Sequence, residues 1–460
     1  MSPRWIAIAA ISCVGLVGQV KLPPFTRQVL PNGVTMILVP RTGVPLVQFR
    51  VLVKGGSEAE PTNLAGLAGV TAQLLRRGTS KRTANQFSEE LDFLGGSFAG
   101  NDAPQSPVTN VFGEFLKKDF DQGLDLMSDA ILRPTFPEVE VNKTLSRAVD
   151  NAKSAKDQAQ AAIGSYFQAL YFGPSHPYGH PADQITLAKI QRQDIVEFHK
   201  RNYCGRNMIV IASGDFDASA AEAKIREAFG GVAAGTAHEW AKPAAPVAST
   251  RLLLVDKPDA TQTYFYIGQP GIDRKDPDRV KLMLINTLFG GRFTSMLNEA
   301  LRVQSGLTYG ASCQLQQSRL PGAIVINTYT KTETTTKAID MALDVLKQLN
   351  EKGVTVEQLS SVKAYIKGTF PTQRLETTDQ IASVLADMEV YGLGREEVDD
   401  FFSKIDSISL ADANAAARKY YKRDNLTFVL VGNAAKIRDQ VTKYAPKVTE
   451  IPITKAGYSL

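Results

Sequence analysis

One offset recurs along this chain. Asp194 and Asp412, Tyr203 and Tyr421, Asn207 and Asn425, and Gly214 and Gly432 each lie 218 positions apart. The pairs fall in "RQDIVEFHKRNYCGRNMIVIASGDFD" and "LADANAAARKYYKRDNLTFVLVGNAA". Each stretch reads as an amphipathic helix, a polar turn and a short apolar strand that ends at Gly. Four matches without a gap argue for duplication rather than chance. Duplication is the strongest constraint available, because whatever one half builds the other must build as well.

The two halves also open alike. "GVTMILVP" and "VQFRVLVKGGS" read as strands in the first half, "TRLLLVDKP" and "QTYFYIGQPG" in the second. A helix follows in each, Leu64 to Arg77 and Val280 to Leu288. Between the halves runs "GGVAAGTAHEWAKPAAPVAST", whose Ala, Gly and Pro content marks a linker, taken as 234–250. The expected fold class is α+β: two homologous domains, 20–233 and 251–460. Each is a largely antiparallel sheet with packed helices, and the two face each other across a cavity as half of a clamshell. At 460 residues, 43% hydrophobic and 22% charged, the chain has ample apolar side chains for two cores.

The start of the chain stands apart. In "MSPRWIAIAAISCVGLVGQVK" one Arg4 precedes an apolar run from Trp5 to about Gly18. The run is shorter than the roughly 20 residues that cross a bilayer. It fits a secretory signal over 1–19, with periplasmic or secreted localisation, and Cys13 offers an alternative as a lipid-attachment site. Cys204 and Cys313 remain after such a leader, too few for a disulfide framework and in no CxxC pair. A net charge of +5 with no basic run and interleaved aromatics gives no case for nucleic acid.

Several strings carry a resemblance that covers nearly the whole chain. They are "NGVTMIL", "VKGGSEAEP", "RRGTSKRTANQFSEELDFLGGSF", "HPYGHPADQI" and, in the second half, "FGGRFTSMLNEALRVQSGLTYGAS". Together they resemble the M16 metallopeptidases, the pitrilysin and processing-peptidase family, in its short two-domain bacterial form. The resemblance implies a zinc site on the helix before Gly78-Thr79, where active members carry HxxEH: two His bind the metal and the Glu activates its water. Counting back, those positions fall on Gly69, Ala72 and Gln73. Gly and Ala offer no donor atom, and a neutral Gln carbonyl is a poor zinc ligand beside imidazole. A further Glu ligand is implied in the region of Arg147 to Ala152, where Asp150 is the sole carboxylate and reads as an ordinary exposed residue.

No other zinc site is visible. The chain has four His: His176, His180, His199 and His238. His176 and His180 are four apart, but Pro177 and Gly179 put them on a turn rather than one helical face. No metal is expected in this chain. Gly290-Gly291 lacks the spacing of a phosphate loop and reads as a tight turn into the next helix.

The second half keeps what the first has lost. "SMLNEALRVQSGLTYGAS" reads as a helix from Thr294 to about Ser305, stopped by Gly306, then a strand from Leu307 with Leu307, Tyr309, Ala311 and Cys313 on one face. The resemblance places the family's Arg/Tyr pair on Arg302 and Tyr309. Arg302 would hold a peptide carbonyl with its fork of N–H donors. Tyr309 would donate to the oxygen that turns negative as water attacks the scissile bond. The expected function is therefore that of a catalytically incomplete subunit. It would lend these residues to a partner M16 subunit with intact HxxEH, which would hold the zinc, for endoproteolysis of a peptide substrate. The rival is a non-catalytic scaffold subunit like the core subunits of a respiratory complex. A self-sufficient peptidase with unusual ligands is disfavoured by the His inventory.

Overall fold

A computed structural model describes residues 20–103, 105–242 and 249–460. The signal expected over 1–19, Cys13 and the middle of the linker lie outside the described residues. The first half supplies β1 (Thr26–Val29), β2 (Thr35–Pro40), β3 (Leu46–Lys54), β4 (Ser97–Asp102), β5 (Val108–Leu116) and β6 (Met208–Gly214). The second supplies β7 (Arg251–Asp256), β8 (Gln262–Pro270), β9 (Ala311–Leu315), β10 (Ala323–Lys331), β11 (Thr427–Gly432) and β12 (Val448–Pro452). Among the described residues, no helix is long and apolar enough to cross a membrane.

The two sheets share one plan. Their strand orders are β1-β2-β6-β3-β5-β4 and β12-β7-β11-β8-β10-β9. Five positions of one correspond to five of the other, including a parallel pair (β2 with β6, β7 with β11) inside otherwise antiparallel neighbours. The repeat glycines end equivalent strands, Gly214 opposite Pro40 and Gly432 opposite Asp256. Only the outer strand differs: β1 comes from before the repeat and runs antiparallel to β2, whereas β12 comes from after it and runs parallel to β7. The expected α+β class with two homologous, largely antiparallel sheets describes the molecule.

The matched side chains do matched work. Asp194 accepts the Gln191 N–H at 2.8 Å and Asp412 accepts the Ser409 N–H at 3.0 Å, each closing a capping box at its helix start. Tyr203 and Tyr421 end those helices. The two asparagines have diverged. Asn425 takes a left-handed turn, φ 56°, while Asn207 is buried and accepts the His238 N–H at 2.7 Å, pinning the linker to the first half.

Four helices position the site: α1 (Leu67–Leu74), α2 (Glu138–Ser154), α3 (Ala159–Phe172) and α4 (Thr378–Tyr391). α3 and α4 begin 219 residues apart, so they are counterparts in the repeat, and each crosses to the other half. α3 buries Ile163, Tyr166 and Phe167 against Leu253, Val255, Val429 and Val431 of the second sheet. α4 buries Ile381, Leu385 and Met388 against Ile37, Leu52, Ile209 and Ile211 of the first. Alternation along β3 shows why: Val47, Phe49, Val51 and Val53 face their own half's core, while Gln48, Arg50 and Leu52 face α4. Arg50 pairs with Asp379 at 2.6 Å in the first turn of α4, and Gln48 donates to the same carboxylate. A second tie joins Arg319 of the second half to the buried carboxylate of Glu58, with the Tyr178 hydroxyl donating to Glu58 at 2.9 Å. Arg319 also donates to the linker carbonyl of Ala241 and lies 5.0 Å over the Trp240 ring, so that end of the linker is held rather than free.

Candidate functional site

α1 starts where Gly66, at φ 100°, turns the chain in. Its first N–H groups need acceptors. Glu60 provides them, accepting from Gly66 at 2.9 Å and Ala68 at 2.6 Å. Burial pushes the Glu60 carboxyl up to about 7, against those N–H bonds, which favour its charged form. One side of α1 is core: Leu67, Ala68, Val70, Thr71, Ala72 and Leu74 are buried. The other side opens on a cavity of about 840 Å³, with Gly69 and Gln73, one helical turn apart, on its wall.

Of the three positions implied for HxxEH, two therefore face the cavity and one does not. Ala72 has 0% exposure and packs beneath edge strand β4, so close that a Cβ at Gly100 would lie 2.4 Å from the Ala72 carbonyl oxygen. At Gly69 the space is open, with the nearest atom to an added Cβ, that of Asp102, at 3.9 Å. Packing accounts for a small residue at 72 but not for glycine at 69.

α2 forms the facing wall with Thr144, Arg147, Ala148 and Asn151. Those spacings of three and four put one stripe of the helix on the cavity. Asp150 lies off that stripe, exposed, with Lys153 at 3.9 Å. No carboxylate reaches the cavity from α2 in its described stripe. The turn around His176 and His180 lies on the same wall. His176 is buried and its Nδ1 accepts the Tyr178 N–H at 3.0 Å, as a structural turn requires, and burial lowers its pKa to about 4. His199 does not line the cavity and is bonded through Nε2 to the Ile131 carbonyl at 2.8 Å. His238 packs edge-on against Trp240. Among the described residues, no three His, Cys, Asp or Glu side chains are placed to share a metal ion. The implied zinc does not fit the residues present.

Two residues on this wall escape sequence reading. Glu60 lies outside any regular element, so no periodicity connects it with α1. Asp102 ends β4, with its Oδ1 sealed from solvent and without a partner; burial and the neighbouring Glu60 push its pKa well above the usual carboxylate range.

Arg302 and Tyr309 are elsewhere, and neither lines this cavity. Ser295 caps a helical segment, 296–304, accepting the Asn298 N–H, and Gly306 at φ 63° ends it. Arg302 is exposed, its guanidinium 4.7 Å over the Phe293 ring. The strand expected from Leu307 begins instead at Ala311. The N–H groups of Leu307 and Thr308 both go to the Leu301 carbonyl, and Thr308 Oγ1 bonds Gly310, so these residues close the helix rather than join the ladder. Tyr309 is thereby turned outward, 79% exposed, and does not share the buried face of Ala311 and Cys313. Among the described residues, no hydrogen bond joins Arg302 to Tyr309. The tight turn expected at Gly290-Gly291 is also different: the helix widens over Thr287–Gly291, and Gly290 allows the backbone of β9 at Cys313 to approach.

Two family models match. "Insulinase (Peptidase family M16)" matches residues 36–170, and "Peptidase M16 inactive domain" matches residues 189–366. An "uncharacterized zinc protease" of Mycobacterium tuberculosis is 26% identical over 86% of this chain and 91% of its own length. The "non-peptidase homolog YmxG" of Helicobacter pylori is 23% identical over 85% of this chain and 90% of its own. Among solved structures, the peptidase M16 inactive domain from Pseudomonas fluorescens superposes with a TM-score of 0.82 at 22% identity, covering 89% of this chain and 98% of that one. A chain of complex III from Candida albicans gives 0.76 at 14% identity, covering 91% and 99%. At such identities these two likenesses are of fold alone.

Proposed function

Because the chain belongs to the M16 peptidase family, we propose that it is the catalytically incomplete subunit of a two-chain zinc metallopeptidase, acting beside an M16 subunit that carries HxxEH. The observation that carries this reading is the cavity wall: Gly69 and Gln73 on α1 and Arg147, Ala148 and Asn151 on α2 leave no ligand set for zinc. The partner would hold the metal and the general base, and no step of hydrolysis passes through a metal in this chain.

What this chain would contribute is substrate handling. Arg302 and Tyr309 stand on the outside of the second half, as groups that work against another surface would. Arg302 would orient a peptide carbonyl, and Tyr309 would donate to the oxygen that gains charge in the transition state. One such donor contributes roughly 3 kcal/mol. The substrate class is peptides small or unfolded enough to enter between the subunits, and export by the 1–19 segment would put the reaction in the periplasm or outside the cell. Names of relatives run both ways, zinc protease and non-peptidase homolog, which is what a family of paired active and inactive chains would produce. The scaffold reading draws on the complex III likeness, which is one of fold and favours neither role.

The test is reconstitution with an HxxEH relative. Arg302→Ala and Tyr309→Phe should each lower turnover of an unstructured peptide by about 10²-fold or more while the pair still assembles on size exclusion. Full turnover by both variant pairs would overturn the assignment.

A further inference from the structure

The vacated cavity has acquired a charge pattern of its own. Arg76 and Arg77, just past the end of α1, and Arg147, on α2, all line it. Among the described residues, Arg77 and Arg147 make no side-chain hydrogen bond or ion pair, and Arg76 donates only to the Phe98 carbonyl at 3.3 Å. Arg147 stands on the α2 stripe that lines the cavity opposite α1, so that wall carries a cation.

The acidic groups on the wall do not cancel these cations. Glu58 is committed to Arg319 and Tyr178 of the tie between halves. Glu60 is committed to the two N–H groups at the start of α1. Asp102 has its Oδ1 sealed from solvent, and burial pushes both Asp102 and Glu60 toward their uncharged forms. His176 is held neutral by burial. The side chains that remain between α1 and α2, Gln73, Thr144 and Asn151, are uncharged hydrogen-bonding groups. Gly69 and Ala148 leave the middle of the space open.

We propose that this cavity is an anion subsite that takes a carboxylate of a bound peptide, with Arg147 and Arg77 as its charged anchors and Arg76 on the same lining. The guanidinium fork matches a carboxylate in two parallel N–H···O bonds, and a cavity of about 840 Å³ is of the size that takes a ligand of a few residues. A carboxylate reaches such a site from an acidic side chain or from a free C-terminus. The inference rests on the peptide-handling function above and adds a preference to it: this chain selects the acidic part of a substrate while the partner cuts elsewhere along it.

Fluorescence anisotropy with the full chain tests this. Three dye-labelled unstructured peptides of equal length serve as probes: one neutral and C-terminally amidated, one amidated with a central Asp-Glu pair, and one neutral with a free C-terminal carboxylate. At least one carboxylate peptide should bind about tenfold or more tightly than the neutral amide, with the preference weakening as salt rises. Which of the two does so identifies the source. Arg147→Gln and Arg77→Gln should each erase most of the preference without shifting the melting temperature, and Arg147→Lys should keep part of it. Equal binding of all three peptides, or an undiminished preference in both Gln variants, would overturn the subsite and leave the function above standing. Failure of every peptide to bind either the chain or its reconstituted pair would overturn both.

Discussion

Phe167 offers the sharpest test of how the halves are joined. It belongs to the first half by sequence, yet its ring lies on the second sheet, 1% exposed. It stacks on Tyr171 with centroids 5.2 Å apart and meets Tyr266 of β8 at 5.9 Å. Gly268 of β8 makes room for it: a Cβ there would lie 2.3 Å from the ring. Phe167→Ala removes a fully buried ring from a site whose walls are strands and cannot close fully, so the cost should be about 3–5 kcal/mol. That is roughly two to three and a half powers of ten in the folding equilibrium, since each 1.4 kcal/mol is about tenfold. The loss should register in the second half. Amides of β8 and β11 should exchange faster in hydrogen-exchange mass spectrometry, and urea should still unfold both halves in one transition at a lower midpoint. Exchange changes confined to 138–172 would refute the reciprocal crossing of α3 and α4. So would two transitions with the second half unmoved.

Other expectations follow from the same contacts. Desolvation lowers the pKa values of buried His176 and half-buried His199 to about 4 from 6.5, so the unfolded chain binds more protons between those values. Stability should therefore be full above about pH 6.5 and fall as pH drops toward 4, and His199→Phe should flatten part of that slope in urea titrations. Rebuilding the family motif in Gly69→His/Ala72→Glu/Gln73→His should not create tight zinc binding by calorimetry. No α2 carboxylate completes the set, and a Glu side chain at position 72 meets β4. Adding Asn151→Glu should raise the affinity, whereas tight binding by the triple variant alone would show that the wall of α2 matters less than its geometry indicates.

Much of this was legible because duplication is legible. Asp194 with Asp412 and Gly214 with Gly432 announce two equivalent sheets, and the sheets share their strand order. The crossing of α3 and α4 was not visible. Tyr166 and Phe167 make an apolar face that reads the same whichever sheet it covers, since periodicity tells that a face is buried and not against what. Tyr309 departs from its sequence pattern for a related reason. Leu307, Tyr309, Ala311 and Cys313 alternate as a strand would, but the Leu301 carbonyl captures two N–H groups and the ladder starts later. At the site, counting back from Gly78-Thr79 reaches Gly69 and Gln73, and both face the cavity. Nothing in the sequence assigns Arg147 a role; only the packing of α2 against α1 gives it a cavity to face.

Metal content and activity, measured together on the chain alone and on the chain mixed with an HxxEH relative, decide where the zinc and the hydrolysis reside. The chain alone should hold no zinc and hydrolyse no peptide, and the mixture should hold one zinc per pair and hydrolyse it. Stoichiometric zinc and hydrolysis from the isolated chain would contradict that division between the subunits.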